Sequence, residues 1–207
     1  CCMLPPETSG WFAKEINSPK DLQGIKMRFF GLGARVMDKL GASTLVMGGG
    51  EIFQALEKGV IDATEFSMPS IDKNLGFYKI VKYNYFPGWH QQATILELLV
   101  NKDLWHSLSI SQQTIIEMAC NEGLINSLAE GEAKQFAVMK ENVEKNGVHM
   151  MQWNAEMMAA FRKTWNEVAA EEASKNAFFA EVLQDLQTFR TGYQLWQDNA
   201  FLPRTAK

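Results

Sequence analysis

The chain is poor in the features that mark several large protein classes. Three cysteines among 207 residues, two of them adjacent at positions 1 and 2, do not make a disulfide scaffold. Cys120 lies inside a helical pattern and reads as a small buried hydrophobe. The three histidines, His90, His106 and His149, have no zinc-like spacing with one another or with cysteine. No apolar run reaches the roughly 18 residues of a membrane helix; the longest candidate, 93–100, is interrupted by Glu97. A net charge of -4 lacks the basic surface that phosphates require, which excludes nucleic acid as a partner. The triple glycine at 48–50 is not followed by the Lys-Ser/Thr of a phosphate loop. No Gly-x-Ser-x-Gly elbow or Ser–His pair is present. The start at Cys1-Cys2-Met3-Leu4 carries no basic or apolar leader, as expected of a mature or truncated product.

What is present is ordinary globular material, 46% hydrophobic and 21% charged. Pro19 at the first position of a helical turn precedes a strand over 25–30. Alternation there places Ile25, Met27 and Phe29 on one face and Lys26 and Arg28 on the other. Helical spacing over 34–40, a β-branched strand over 43–47, a helix over 51–58 and a strand over 60–66 complete a β-α-β-α-β order. That order predicts an α/β fold with a mostly parallel sheet. Two strands joined through a turn at Pro87-Gly88 fill 78–100.

Beyond residue 101 the pattern is helical. Ser109 and Gln112 form a capping box that opens a helix of about 36 residues, without proline up to Asn146 and stopped by Gly147. Its apolar positions are Ile125, Leu128, Phe136, Met139 and Val143. Gly123 and Gly131 weaken its continuity, so a kink is allowed. A strand over 148–153 follows, Asn154 caps a helix through Met157 and Trp165, and a final helix spans 177–198. Met150, Met151, Met157 and Met158 read as core filling, and Pro203 falls in the tail.

An arginine and a glutamate delivered by separate strands toward one cleft can hold a carboxylate and a cation. Arg28 offers a planar fork of donors to a carboxylate and stays charged. Composition alone would make it a surface ion-pair partner. Glu65, at the exit of a parallel strand, faces the crevice where open α/β sheets bind ligands. Trp11 and Trp89 serve equally as flat cleft walls or as core packing.

Several motifs together resemble one family: the extracytoplasmic solute receptors of tripartite ATP-independent periplasmic (TRAP) transporters. They are Gly10-Trp11-Phe12-Ala13-Lys14-Glu15-Ile16; Leu22-x-Gly24-x-Lys26-Met27-Arg28; the run from Gly49 to Ala63; and Tyr85-Phe86-Pro87-Gly88-Trp89-His90 with Leu96-Glu97-Leu98-Leu99-Val100-Asn101. The last pair is similar to the branch handling 2-oxo acids. The resemblance implies a two-lobe α/β binding protein with a long inter-lobe helix and a helical C-terminal region, present here without its N-terminal segment. It implies one lobe from 1–62 and 104–175, hinge strands and part of the other lobe over 63–103, and a terminal helix and tail over 176–207. It further implies periplasmic localisation, a small organic acid as ligand, TRAP membrane subunits as partners, and no catalysis.

In the family the arginine matching Arg28 clamps the substrate carboxylate. The residue matching Glu65 helps coordinate a Na⁺ or Ca²⁺ ion bridging protein and ligand, with Gln91 and the Phe66 carbonyl as co-ligands. Glu7 falls where many relatives carry a Gln that reaches the ligand or ion. The 2-oxo acid branch shows Trp at the position of Phe66 and Glu at that of Gln91. Two other classes stay open on the residues themselves. One is an enzyme acting on a carboxylic acid with Glu65 as base. The other is an interaction module built on the last helix, whose stripe of Phe178, Phe179, Val182, Leu186, Phe189, Tyr193 and Trp196 could form a homodimer or pack on its own domain.

Overall fold

The computed structural model describes residues 1–202, so the tail holding Pro203 lies outside the described residues. In chain order the elements are β1 (Cys2–Leu4), β2 (Gly10–Phe12), a short 3-10 turn (Pro19–Leu22), β3 (Lys26–Arg28), α1 (Gly31–Lys39), β4 (Ser43–Leu45), α2 (Gly49–Glu57) and β5 (Ala63–Thr64). Next come α3 (Pro69–Leu75), a second 3-10 turn (Phe77–Lys79), β6 (Tyr83–Phe86), β7 (Thr94–Leu96) and α4 (Lys102–Ser107). The helical rear is α5 (Ile110–Asn146), β8 (His149–Gln152), α6 (Ala155–Lys175) and α7 (Ala177–Ala200).

Six strands form one sheet in the order β4-β3-β5-β2-β6-β8. β3 runs parallel to β4 and β5, and β6 parallel to β8, but β2 is antiparallel to both of its neighbours. The sheet is therefore mixed rather than mostly parallel, because one strand from ahead of the β-α-β-α-β run inserts at its centre. The two strands expected within 78–100 also part company. β6 joins the large sheet, whereas β7 pairs antiparallel with β1 in a separate two-stranded ribbon.

Alternation along β3 does what the pattern demands. Met27 is fully buried, with Ile25 and Phe29 nearly so, while Lys26 is exposed. Trp11, Ile52, Ala55, Leu56, Ile61, Phe77, Val81 and Val148 make one apolar cluster between sheet and helices. Its buried side chains contribute about 1.5–3 kcal/mol each relative to exposure.

The 37 residues of α5 form a single helix, opened by the Ser109–Gln112 capping box and ended by Gly147 in the left-handed conformation. Gly131 is explained by close approach: a Cβ there would lie 2.6 Å from Pro5 Cδ. Ser127 Oγ accepts from the Met3 amide at 2.9 Å, and Gln135 Oε1 accepts from the Ser70 amide at 2.9 Å. Lys73 and Glu141 add an ion pair at 2.6 Å. The predicted apolar stripe is not a buried one, since Ile125, Phe136 and Val143 are exposed. Cys120 is half-buried and bonded to Cys1, so the isolated-hydrophobe reading gives way to a cross-link that ties the start of the chain to α5. Of the four methionines assigned to the core, Met157 is buried and Met150 is exposed.

The chain groups into two compact units, Cys1–Phe161 and Arg162 onward. The second consists of the rest of α6 and α7, each α7 end defined locally, as by Asn176 Oδ1 accepting from the Phe179 amide. No helix among the described residues is long and apolar enough to cross a membrane.

Candidate functional site

The pairing of strands decides which residues meet. Arg28 is the last residue of β3 and stands opposite Thr64 in the parallel β3–β5 ladder, so Arg28 and Glu65 emerge together at the strands' C-terminal ends. β2 runs antiparallel to β5 and β6, which brings the segment before it, Glu7–Ser9, alongside the segments that leave those two strands. The amide of Glu7 donates to the Gln91 carbonyl at 3.2 Å, that of Thr8 to Ser67 at 3.0 Å and that of Ser9 to Tyr85 at 2.8 Å. Glu7, Glu65 and His90 thus converge from three separate stretches of chain.

Arg28 is 8% exposed. Its Nη1 donates to Glu65 Oε1 at 2.6 Å and to the Glu65 carbonyl at 2.8 Å, and its Nε donates to Met47 at 3.4 Å. The guanidinium carbon lies 5.3 Å from the ring centres of both Phe30 and Phe66, within cation–π range of each. α1 and α2 both begin just beyond the C-terminal ends of β3 and β4, adding the positive ends of two helix dipoles to this edge.

Glu65 is fully buried. Burial pushes its carboxyl up to about 7, against the pull of Arg28 and then His90, with Glu7 and Asp72 reinforcing the rise. Glu7 Oε1 accepts from Gln91 Nε2 at 3.0 Å and from Thr94 Oγ1 at 3.2 Å. Gln91 Nε2 is also bonded to Thr94 Oγ1. The amide nitrogen of Gln91 therefore faces Glu7 and is hydrogen-bonded to that carboxylate. Phe66, half-buried, packs edge-on to Phe77 as well as over Arg28.

Trp11 lies in the core, with no exposed surface, and its indole Nε1 donates to Asp72 Oδ2 at 2.8 Å. The ring is a packing element, and the cleft-wall reading is not what the structure shows. Trp89 is half-buried, stacked on Phe161 at 4.6 Å and 5.5 Å from the His90 ring. Its neighbour Phe29 meets His90 edge-on at 4.9 Å. Sequence reasoning missed His90 and Asp72. His90 had no partner at metal-ligand spacing along the chain, because its neighbours here come from positions 7 and 65.

Asp72 is fully buried, and burial raises its carboxyl to about 7 despite hydrogen bonds from Trp11 and the Ser67 amide. In an unfolded chain an aspartate titrates near 3.9. Between these values the folded chain holds the extra proton, so stability falls as pH rises from about 4 through about 7. Glu65 acts in the same sense. Urea denaturation in metal-free buffer is expected to give a lower midpoint at pH 8 than at pH 5, with Asp72→Asn flattening the slope. A midpoint that rises over this interval contradicts the assignment.

Two carboxylates, an imidazole and a buried guanidinium thus meet at the C-terminal edge of a parallel ladder. Residues 7–176 match the bacterial extracellular solute-binding proteins of family 7, the DctP family, and the chain belongs to that family. The family is one of transport proteins and not of enzymes, which removes the reading of Glu65 as a catalytic base. The chain is 36% identical over 190 residues to a monocarboxylate 2-oxoacid-binding periplasmic protein of Nostoc sp., covering 92% of this chain and 52% of that protein. Among solved structures it is similar to a TRAP periplasmic solute-binding protein from Pseudoalteromonas atlantica with bound sodium and pyruvate, at 32% identity and a TM-score of 0.88, covering 96% of this chain and 60% of that one. A TRAP solute-binding protein from Bordetella bronchiseptica, a mixed-occupancy dimer with calcium and picolinate, matches at 31% identity and a TM-score of 0.88, covering 97% and 59%. The chain spans about half the length of the curated relatives it matches.

Proposed function

We propose that this chain supplies the carboxylate-binding site of a TRAP transporter receptor that captures a small 2-oxo monocarboxylate of the pyruvate type in the periplasm and presents it to membrane subunits. The observation that carries this reading is Arg28, a buried guanidinium within cation–π range of two aromatic rings and anchored through Nη1 to Glu65. That anchoring fixes the fork while the Nη2 corner receives the ligand carboxylate. A fixed, desolvated donor binds an anion more strongly than a solvated one, because little of its orientation remains to be ordered on binding.

The donor set fits a bridging cation of the Na⁺ or Ca²⁺ type. Glu7 Oε2 and Glu65 Oε2 are buried without a hydrogen-bond partner among the described residues, and hard cations take such oxygens. In this proposal Glu65 and Glu7 are the charged ligands, the Phe66 carbonyl is a further one, and Gln91 holds Glu7. Relatives of the 2-oxo acid branch resemble the reverse arrangement, with the amide at the first position and the carboxylate at the second. The pair therefore keeps its single charge. The bound cation neutralises the two carboxylates and offers its remaining face to the oxo and carboxylate oxygens of the ligand.

Calorimetric titration of the chain with pyruvate and with longer 2-oxo acids, in sodium and in calcium buffers, tests the reading. Saturable one-to-one binding that requires the cation supports it, and absence of binding to every 2-oxo acid in both buffers overturns it.

The partner surface proposed for homodimerisation is α7. Phe178, Val182, Phe189 and Trp196 are exposed along it, and Phe189 and Tyr193 stack at 5.6 Å. Apolar area of this kind is the sort that pairs of subunits cover. Light scattering is expected to give twice the monomer mass, falling to one monomer in Phe189→Glu/Trp196→Glu. A monomeric parent chain at tens of micromolar contradicts it.

A further inference from the structure

Asp72 is a charge-bearing side chain that the proposed function does not use, and it has no exposed surface. Burying a carboxyl costs free energy that an apolar group of the same size would not. Its two oxygens go to two different segments. Oδ1 accepts from the Ser67 amide at 3.0 Å, and Oδ2 accepts from Trp11 Nε1 at 2.8 Å. The first bond is local, of the sort a carboxylate makes at the start of its own helix, here α3. The second is not, since Trp11 lies 61 positions away on β2, opposite Thr64 of β5. Ser67 closes the circuit, because its carbonyl accepts from the Thr8 amide at 3.0 Å. Trp11, Asp72, Ser67 and Thr8 thus form a ring of hydrogen bonds completed by the chain from 8 to 11. Thr8 and Ser67 are buried as well, so bulk water does not reach these bonds. Glu7 and Glu65 stand just outside the ring, Glu7 next to Thr8 and Glu65 two residues before Ser67. α3 itself is tied to α5 through Ser70 and Gln135 and through Lys73 and Glu141. One carboxyl, fixed to the long helix, therefore holds both acidic segments.

We propose that Asp72 is a positioning residue of the ligand site: by holding Ser67 and Trp11 at once it sets the spacing of Glu65 and Glu7, and so the affinity for the cation they share. The inference rests on the reading that these two carboxylates bind one cation, and adds the group that keeps them in register. Ca²⁺ takes its oxygens at about 2.3–2.6 Å. Two ligands carried on separate segments must then be held to within about 0.5 Å of the productive geometry. Arg28 and Gln91 restrain the two carboxylates at the level of their side chains. Asp72 acts one layer below, on the backbones that carry them. An ionised carboxyl suits the task because it offers two acceptors in one plane and no donor. Asparagine in its place offers one acceptor, and its NH₂ group would face an N–H. An apolar residue offers neither, and would leave the Ser67 amide and the Trp11 indole buried without partners.

The test uses Ca²⁺ alone on chelator-treated protein at pH 8. Affinity is read by calorimetry, and stability by urea denaturation of the same proteins in metal-free buffer. Asp72→Asn is expected to weaken Ca²⁺ at least ten-fold. Trp11→Phe, which removes one bond of the ring and keeps an aromatic side chain in the core, is expected to weaken it at least three-fold. The double variant should bind no more weakly than Asp72→Asn alone, because both changes break the same ring. Ile61→Val, a buried change where β5 is about to begin, should lower the urea midpoint and keep Ca²⁺ affinity within two-fold. A purely structural role for Asp72 predicts another pattern, in which stability changes while affinity, measured on the folded chain, stays. Asp72→Asn that folds and binds Ca²⁺ within three-fold of the parent overturns the inference. If Asp72→Asn does not fold, Trp11→Phe decides, and parent-like affinity in that variant overturns it. A parent chain that binds no Ca²⁺ overturns it too, whereas a parent that binds Ca²⁺ but no 2-oxo acid refutes the proposed function alone.

Discussion

Replacing Arg28 by alanine is expected to reduce pyruvate affinity at least 100-fold, beyond the range of calorimetry for a ligand of this size. The side chain contributes in two ways. It meets the ligand carboxylate, and it holds Glu65 through Nη1 to both the carboxylate and the backbone carbonyl. Truncating one partner of a buried charge pair costs about 2–5 kcal/mol, most of it from leaving the other charge without compensation. Glu65 already holds its proton up to about 7, so in the variant it can become neutral and the chain keeps its fold. Circular dichroism of Arg28→Ala should match the parent, with the unfolding free energy from urea denaturation lowered by on the order of a few kcal/mol or less. Arg28→Lys separates charge from geometry. It retains the cation but not the fork, and it should recover only part of the affinity. Parent-like pyruvate binding in Arg28→Ala would show that the acid is held elsewhere.

The second large effect belongs to a residue without a side chain. Gly88 lies where the loop after β6 crosses the backbone before β2, and a Cβ there would stand 2.2 Å from the Glu7 carbonyl oxygen and 2.8 Å from its carbon. Both obstacles are backbone, so neither can move aside as a flexible side chain could. Gly88→Ala must push apart the two segments that carry Glu7 and His90. We expect a loss of about 2–4 kcal/mol in stability together with loss of cation binding. A control in α7, Gly192→Ala, where a Cβ would meet nothing within 4 Å, should keep cation binding and raise stability by up to about 1 kcal/mol. Gly88→Ala with full cation affinity would mean that Glu7 takes no part in holding the cation.

Much of the architecture was legible because its causes are local. The capping box at Ser109 and the left-handed Gly147 bound α5 in the sequence as in the structure. Asn154 caps α6 as expected, its Oδ1 accepting from the Met157 amide at 2.9 Å. The alternation of β3 placed Arg28 on the face opposite Met27. What was not legible depends on pairing between distant segments. Nothing in 10–12 announces that Gly10–Phe12 inserts between β5 and β6. That insertion makes the sheet mixed and carries Glu7 to His90. The fate of Trp11 follows from it too, since the central strand turns the indole toward Asp72 in the core. The bond between Cys1 and Cys120 spans 119 positions and likewise gives no local sign.

The structure also separates the proposed site from another concavity. A cavity of about 250 Å³ is lined by Phe12, Ala13, Lys14, Gln23, Gly24, Ile25 and Asp62. These residues gather where β3 begins and where β5 is about to begin, at the opposite end of the strands from Arg28 and Glu65. Lys14 gives that cavity a cation of its own, but an exposed and solvated one. It lacks the burial of Arg28, which is 8% exposed.

Crystallising the chain with pyruvate measures the central claim most directly. The account predicts electron density for the acid against Arg28, its carboxylate within hydrogen-bond distance of the guanidinium and its oxygens sharing an ion with Glu65. Pyruvate found in the Lys14–Gln23 cavity, with Arg28 still bonded only to Glu65 and Met47, would contradict it.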